Sequence, residues 1–404
     1  MVHSQHGRLE NINGKDYIFT EKGQAGFCLY GPYEILQPGK YYVEQKLSLT
    51  ENIDVESGDS ICGEFDICTD KGKKVLSKTN IYIARINKKP NIQLAFQLSN
   101  PTEVEYRVYT YGKTSFIVDC ERTIKTLPES DNFTPIFNIG TDISDEFFRQ
   151  HQGQFRHIFE LGADIGFQEQ TPIIEFQDVS LFIKREEHFQ IAYDVFVRHV
   201  YNFSLNRDVV FFDVGMNCGF TSLYAARMNH VREVHAFEPF AIPFKDAHDN
   251  FRLNPGLAKK IFPYPFGLGD ADQCLNVFAA TENTIGTSVR GETSGQRETI
   301  KIRNAADVLG DLFLKARQNG WGIVVKLDCE GSEFPIFEIL ASRNLIGEPD
   351  VYLIEWHKWW SAYRSAKDFI LPLLDKDFVV LDHTEASDRY AGTVYAIKRN
   401  AIIP

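Results

Sequence analysis

The run Val209-Val-Phe-Phe-Asp213-Val-Gly215-Met216-Asn217-Cys-Gly219-Phe220 constrains the fold of this chain more than any other segment. A buried apolar strand ends in an aspartate, and a tight turn with glycine at 215 and 219 opens a helix. Glycine lets the backbone bend sharply there and lets a ligand approach the main chain. From 208 onward strand and helix alternate. Strands are expected at 209–214, 233–237, 261–268, 323–328, 350–356, 378–382 and 393–398, with helices at 220–229 and 243–253. Such alternation predicts a parallel sheet wrapped by helices, with ligands at the carboxyl ends of the strands.

Three clusters of polar residues fall at those strand ends. A dinucleotide fingerprint would need glycine at 215, 217 and 220, but Asn217 and Phe220 occupy two of these positions, so the turn suits pyrophosphate poorly. A nucleoside carrying an amino acid fits it better. Glu238, in Val234-His-Ala-Phe-Glu238-Pro239, ends the second strand, where a carboxylate can accept from both ribose hydroxyls. Alternatively it is a solvated strand-end acid. The third cluster is Val324-Val-Lys326-Leu-Asp328-Cys-Glu330-Gly-Ser-Glu333: an apolar strand with an interior lysine, then an acidic turn that begins a helix. A buried charge beside carboxylates is costly unless paired or functional. The bland reading is an ion pair of Lys326 with one carboxylate, with Ser332 capping the helix.

In order and spacing these motifs resemble the FkbM family of S-adenosylmethionine-dependent methyltransferases. That family carries patterns like D-V-G-A-N-x-G, F-E-P and K-x-D-x-E-G-[SA]-E. They stand here as Asp213–Gly219, Phe237-Glu-Pro239 and Lys326–Glu333. Asn250, Asn254, Gly267-Leu-Gly-Asp270 and Asp307 are lesser matches, and the resemblance covers about 208–400. It implies a class I methyltransferase sheet, Rossmann-like, seven-stranded and with an antiparallel final hairpin, and S-adenosylmethionine as cofactor. It also implies roles. Asp213, Gly215, Met216, Asn217 and Gly219 would meet the methionine part, Glu238 the ribose, and Phe266, Gly267 and Leu268 the adenine. Asp328 would lie near the sulfonium, with Glu330 beside it.

Methyl transfer to oxygen gains from a general base within hydrogen-bond reach. His357, in Leu353-Ile-Glu355-Trp-His357-Lys-Trp-Trp360, follows the fifth strand and titrates near neutrality, so it is the expected base, with Asp328 as the other candidate. No Cys or His cluster has zinc spacing and no dedicated metal cage is spelled; Asp328 and Glu330 holding Mg²⁺ against a substrate diol remains an alternative. Trp359, Trp360 and Tyr363 would either stack on a flat acceptor or form a hydrophobic cover.

The first third of the chain has a different texture. Residues ~20–125 show period-two alternation in seven or so short runs, such as Ile92, Leu94, Phe96 and Leu98, separated by Gly- and Pro-containing breakers. An antiparallel β-sandwich is expected over 1–127. It weakly resembles carbohydrate-binding modules, in which Tyr30, Tyr33, Tyr41 and Tyr109 would stack on sugars; the alternative is that they are core or an interface with the enzyme domain. Residues 128–200 read as an acidic linker and helical bridge, with a helix at 144–161 capped by Ser144, strands near 173–176 and 179–184, and a helix at 186–200. The methyltransferase domain would span 201–404.

The net charge of −12, most of it in 131–200, and the lack of any nucleic-acid motif argue against a nucleic-acid partner. No apolar run reaches the ~18 residues of a membrane span, and the start lacks a signal-peptide core, so a cytoplasmic protein is expected. The expected partner is a small-molecule or glycan acceptor bearing the hydroxyl to be methylated. The alternative is a glycan-binding protein whose methyltransferase-like half is inactive. Oligomeric state is not legible.

Overall fold

The computed structural model describes residues 4–50, 61–83, 86, 90–127, 146–168, 171–176, 178–279, 296–358, 363–384 and 391–401. The chain divides into two compact units, Met1–Gln177 and Asp178–Pro404. The division falls inside the segment that the sequence assigns to a bridge.

The first unit is an antiparallel β-sandwich. One sheet runs Arg8–Ile12, Lys15–Phe19, Phe116–Leu127, Gly39–Leu49, Asn91–Leu98; the other runs Gly26–Tyr30, Thr102–Thr110, Ile61–Thr69, Lys74–Tyr82, with Glu34–Leu36 paired to Thr102–Thr110. The alternating residues face inward as their period demands: Ile18, Val43, Leu94, Phe65, Tyr106, Val108 and Phe116 share one core. The Arg8–Phe19 hairpin escapes the sequence pattern because its first strand has no buried face to impose alternation. After the sandwich, the expected 144–161 helix is two helices, Glu146–Gln150 and Gln152–Glu160, interrupted at His151; Ser144 lies outside the described residues. The strand Asp164–Gln168, hairpinned to Thr171–Phe176, has no fully buried residue and also lacks a readable apolar pattern.

In the second unit seven strands form one sheet: β1 (Val209–Val214), β2 (Val231–Phe237), β3 (Ile261–Tyr264), β4 (Gly322–Leu327), β5 (Val351–His357), β6 (Phe378–Asp382) and β7 (Ala391–Lys398). Their order is β3-β2-β1-β4-β5-β7-β6; β7 is antiparallel to β5 and β6, and the rest are parallel. This is the class I methyltransferase arrangement. Every residue of β1 and β4 is buried, which matches their unbroken apolar runs. The longer helices are α1 (Glu187–Phe196), α2 (Phe220–Arg227), α3 (Ala241–Leu253), α4 (Ala305–Gln318), α5 (Glu333–Ser342) and α6 (Lys367–Leu374), with one further turn of helix at Pro255–Ala258. Phe313, Ile336, Phe337 and Phe369 seal one sheet face against Phe212, Val325 and Tyr352.

The expected single strand 261–268 is two. Pro265 has no N–H for the ladder, and beyond it Gly267–Gly269 leaves the main sheet to pair in parallel with Gln296–Asn304, which also pairs with Gln273–Ala279. Among the described residues no helix is long and apolar enough to cross a membrane.

Candidate active site

The sheet order places the crossover point between β1 and β4 at the carboxyl edge, and there a cavity of about 520 Å³ opens. That is within the ~300–1,000 Å³ usual for small-molecule sites. Its floor is the β1 turn. The Gly215 and Met216 amides donate to the Phe237 carbonyl at 3.1 and 3.0 Å, tying the turn to β2. Gly215 has φ +84°, and a Cβ there would lie 1.7 Å from the Asp328 carbonyl oxygen, so only glycine lets the turn pass the β4 loop. Gly219 has φ +81°, and a Cβ there would lie 2.8 Å from the Phe251 ring and 3.0 Å from Ala247 Cβ of α3. Met216 and Asn217 line the cavity between them.

Glu238 caps β2 and faces the same cavity, nearly buried. Its two oxygens accept the Asn217 and Phe240 amides, each at 3.0 Å. Burial pushes its pKa up to about 7, against the lowering effect of those two amides. Each carboxylate oxygen retains a further lone pair, so the group is held rigidly with two acceptor positions, which suits a pair of ribose hydroxyls. Gly267 and Leu268 line the wall beyond it; Phe266 does not, packing instead on Phe237 and the core.

Asp213 departs from its expected contact with cofactor. It is fully buried and does not line the cavity. One oxygen accepts from the Ser222 hydroxyl at 2.6 Å, and the other is 3.1 Å from Lys326 Nζ. Lys326 is also 3.3 Å from Asp328 Oδ2 and donates to the Gly215 carbonyl at 2.6 Å. Burial works against its charge, but Asp213 and Asp328 raise its pKa, so it is a permanent ammonium. The interior lysine therefore fastens the β1 turn to the β4 loop. Asn250 and Asn254 are likewise structural. Asn250 donates to the Cys218 carbonyl and accepts the Phe182 amide, while Asn254 bonds both backbone groups of Ser180. Asp307 sits exposed on α4 and does not line the cavity.

The loop after β4 is organised by Glu333, which is fully buried. It accepts the Cys329 amide at 2.7 Å and the Gly331 amide at 2.9 Å, and its Oε1 lies 3.3 Å from His357 Nδ1. Ser332 makes no side-chain cap on α5, contrary to expectation, and Glu333 binds amides of the preceding loop rather than of the helix. His357 also has Glu330 at 3.7 Å and Glu355 at 3.9 Å from Nε2. Burial would lower its pKa, but the Glu333 hydrogen bond and the charges of Glu333, Glu330 and Asp328 push it up to about 10.

Two residues that sequence reasoning passed over complete the mouth. Tyr201, buried ahead of β1, has its hydroxyl 3.0 Å from Asp328 Oδ2 and 2.9 Å from Glu355 Oε2. One hydroxyl proton cannot serve two carboxylates, so the trio competes for protons. The charge of Asp328, with burial second, raises Glu355 to about 7. Glu355 was legible as part of the strand-end Glu-x-His; Tyr201 carried no local signal. One ligand atom each from Asp328, Glu330 and His357 lie within 4.8 Å of one another, so these three can hold a metal. Trp359 and Trp360 lie outside the described residues, and Tyr363 is almost wholly exposed. In the sandwich, Tyr41 is core, stacked on Phe96; Tyr109 packs edge-on against Phe27 and Tyr111, and Tyr33 exposes its ring.

Residues 213–380 match the family model described as the methyltransferase FkbM domain. No curated protein matches the chain. Among solved structures, methyltransferase FkbM from Methylobacillus flagellatus KT is 17% identical over 50% of this chain and 47% of its own, with a TM-score of 0.33. The chain thus spans about half the length of that relative. TrmK from M. capricolum, in complex with S-adenosyl-homocysteine, is 15% identical over 50% of this chain and 66% of its own, TM-score 0.29. The C-terminal CBM6 of LamC from Zobellia galactanivorans is 13% identical over 31% of this chain and 91% of its own, TM-score 0.23.

Proposed function

We propose, on the premise that residues 213–380 are a methyltransferase FkbM domain and that S-adenosylmethionine is the methyl donor of such domains, that this chain methylates a hydroxyl of a polyhydroxylated acceptor such as a sugar or glycan. The observation that carries this reading is the convergence, on one cavity, of the Gly215 turn, the doubly anchored Glu238 and the carboxylate-rich β4 and β5 ends. These residues fit the donor. Glu238 takes its ribose hydroxyls, the Gly215–Asn217 turn its amino-acid end, and Gly267 and Leu268 its base.

When bound, the donor supplies an electrophilic methyl on a positively charged sulfur. The chain's own contribution is position, charge and proton removal. Asp328, with Glu330 and Glu355, gives the mouth a negative field that favours a sulfonium. Lys326, paired with Asp328 and bonded to the Gly215 carbonyl, holds the carboxylate at a fixed height above the β1 turn. Glu355, raised to about 7 and open to the cavity, accepts the acceptor's hydroxyl proton as that oxygen forms its bond to carbon. The C–S electron pair stays on sulfur, and the proton passes from Glu355 to water. A nucleotide-dependent oxidoreductase is disfavoured by the glycine spacing.

Incubation of the full chain with methyl-tritiated donor and panels of oligosaccharides, amines and thiols tests this. Label is expected in hydroxyl-bearing sugars as an ether, with Glu355→Gln slower by about a hundredfold or more. Label passing to amines or thiols alone would overturn it.

A further inference from the structure

We infer that Asp328, Glu330 and His357 form a divalent-cation site at the mouth of the cavity, one that takes the acceptor's hydroxyl oxygen as a further ligand. The second half of this rests on the methyltransferase reading; the cation site itself does not.

The geometry is close to what a cation needs. Ligand atoms each about 2.1 Å from one ion lie about 3–4 Å apart. Here the three ligand atoms lie within 4.8 Å of one another, and His357 Nε2 is already 3.7 Å from Glu330 Oε2. Small rotations of two carboxylates close the remainder. All three residues line the cavity beside Met216 and Asn217, so the site has an entry path and faces the place where the acceptor must come.

The imidazole is oriented as a ligating histidine is. Metal-bound histidines hold their other ring nitrogen against a carboxylate or carbonyl, which fixes the ring and raises its basicity. Glu333 plays that part for His357: its Oε1 is 3.3 Å from Nδ1, leaving Nε2 turned toward Glu330. Glu333 is itself pinned by the Cys329 and Gly331 amides, so the supporting shell is rigid. An ordinary surface ion pair has no reason to bury a second carboxylate behind the histidine.

Charge points the same way. Four carboxylates, Asp328, Glu330, Glu333 and Glu355, gather around one lysine and one histidine. A divalent ion offsets the excess. Two carboxylate oxygens and one imidazole nitrogen suit Mn²⁺ or Mg²⁺, with positions left for water and a substrate oxygen. A hydroxyl bound there loses its proton to Glu355 more readily, and the oxygen then forms the C–O bond while the C–S bond breaks toward sulfur.

The test is a titration of Mn²⁺ alone into the metal-free full chain, read as loss of the free-ion electron paramagnetic resonance signal. Calorimetry with S-adenosylhomocysteine is run in parallel. The expected result is one Mn²⁺ per chain, displaced by Mg²⁺, and weakened about tenfold or more in both Glu330→Gln and His357→Gln. Both variants should still bind S-adenosylhomocysteine, and Glu330→Gln should keep the wild-type melting transition. The two substitutions lie on different elements, so a folding defect in one leaves the other decisive. An undiminished free-ion signal with wild type would overturn the proposal, and so would wild-type Mn²⁺ affinity retained by both variants. Mn²⁺ binding without S-adenosylhomocysteine binding supports the cation site while overturning the methyltransferase reading; the reverse pattern overturns the cation site alone.

Discussion

The substitution Lys326→Met keeps the volume of the interior lysine and removes its charge. In the native fold that ammonium lies 3.1 Å from Asp213 and 3.3 Å from Asp328 and donates to the Gly215 carbonyl. Asp213 is fully buried, so the variant leaves its carboxylate with the Ser222 hydroxyl but without its counter-ion. Removing one partner of a buried pair costs about 3–5 kcal/mol, which in a domain of this size lowers Tm by about 6–20 °C. The lysine's pKa is raised in the fold, so its contribution is fully present below its unfolded pKa of about 10.4 and is lost only as pH rises through the higher folded value. The full penalty is therefore expected at pH 7. All four tryptophans lie in the second unit, so their fluorescence follows its unfolding specifically. Adding Asp213→Asn should recover about 1–3 kcal/mol of coupling energy. A deficit below about 1 kcal/mol, the range of an exposed pair, or strict additivity of the two substitutions, would refute the argument that the lysine fastens turn to loop.

Three further outcomes follow from the site. Donor-product affinity, measured by calorimetry, should fall as pH drops through about 7, because the buried Glu238 then becomes a neutral acid. Glu238→Gln should flatten that dependence and bind about tenfold or more weakly, the cost of losing a charged acceptor. Gly215→Ala should abolish binding, since its Cβ would sit 1.7 Å from the Asp328 carbonyl, whereas Gly256→Ala, with open space around it, should bind normally. Asn250→Ala strands the Phe182 amide and the Cys218 carbonyl and should lower stability by about 2–6 kcal/mol in urea unfolding.

The parts of this molecule that were legible in the sequence are those where one residue's surroundings are set locally. The β1 and β4 runs are buried on both faces and so carry unbroken apolar sequence, and the glycines at 215 and 219 answer to a turn that their immediate neighbours define. Glu238 was readable because it ends a strand at a fixed distance from that turn. Illegible were the contacts made across the sheet. Asp213 looks like a ligand-facing acid in sequence, yet its parallel partner on β4 is Lys326, and that pairing turns it into a structural anion. His357 looks like a neutral-pH base, but across the sheet edge the Glu333 hydrogen bond and the charges of Glu333, Glu330 and Asp328 outweigh burial and raise its pKa. Tyr201 reaches Asp328 and Glu355 across more than a hundred residues of chain, and no local pattern announces such a bridge. Edge elements such as Arg8–Phe19 fail for the opposite reason: without a buried face there is little periodicity to read.

The most direct test of the whole account is a calorimetric titration of the full chain with S-adenosylhomocysteine, alongside NAD⁺ as comparison and Glu238→Ala as the matched variant. The account predicts one binding site per chain for S-adenosylhomocysteine, severe weakening in Glu238→Ala, and no heat with NAD⁺. Absence of binding by wild type, or binding that Glu238→Ala leaves untouched, would contradict it.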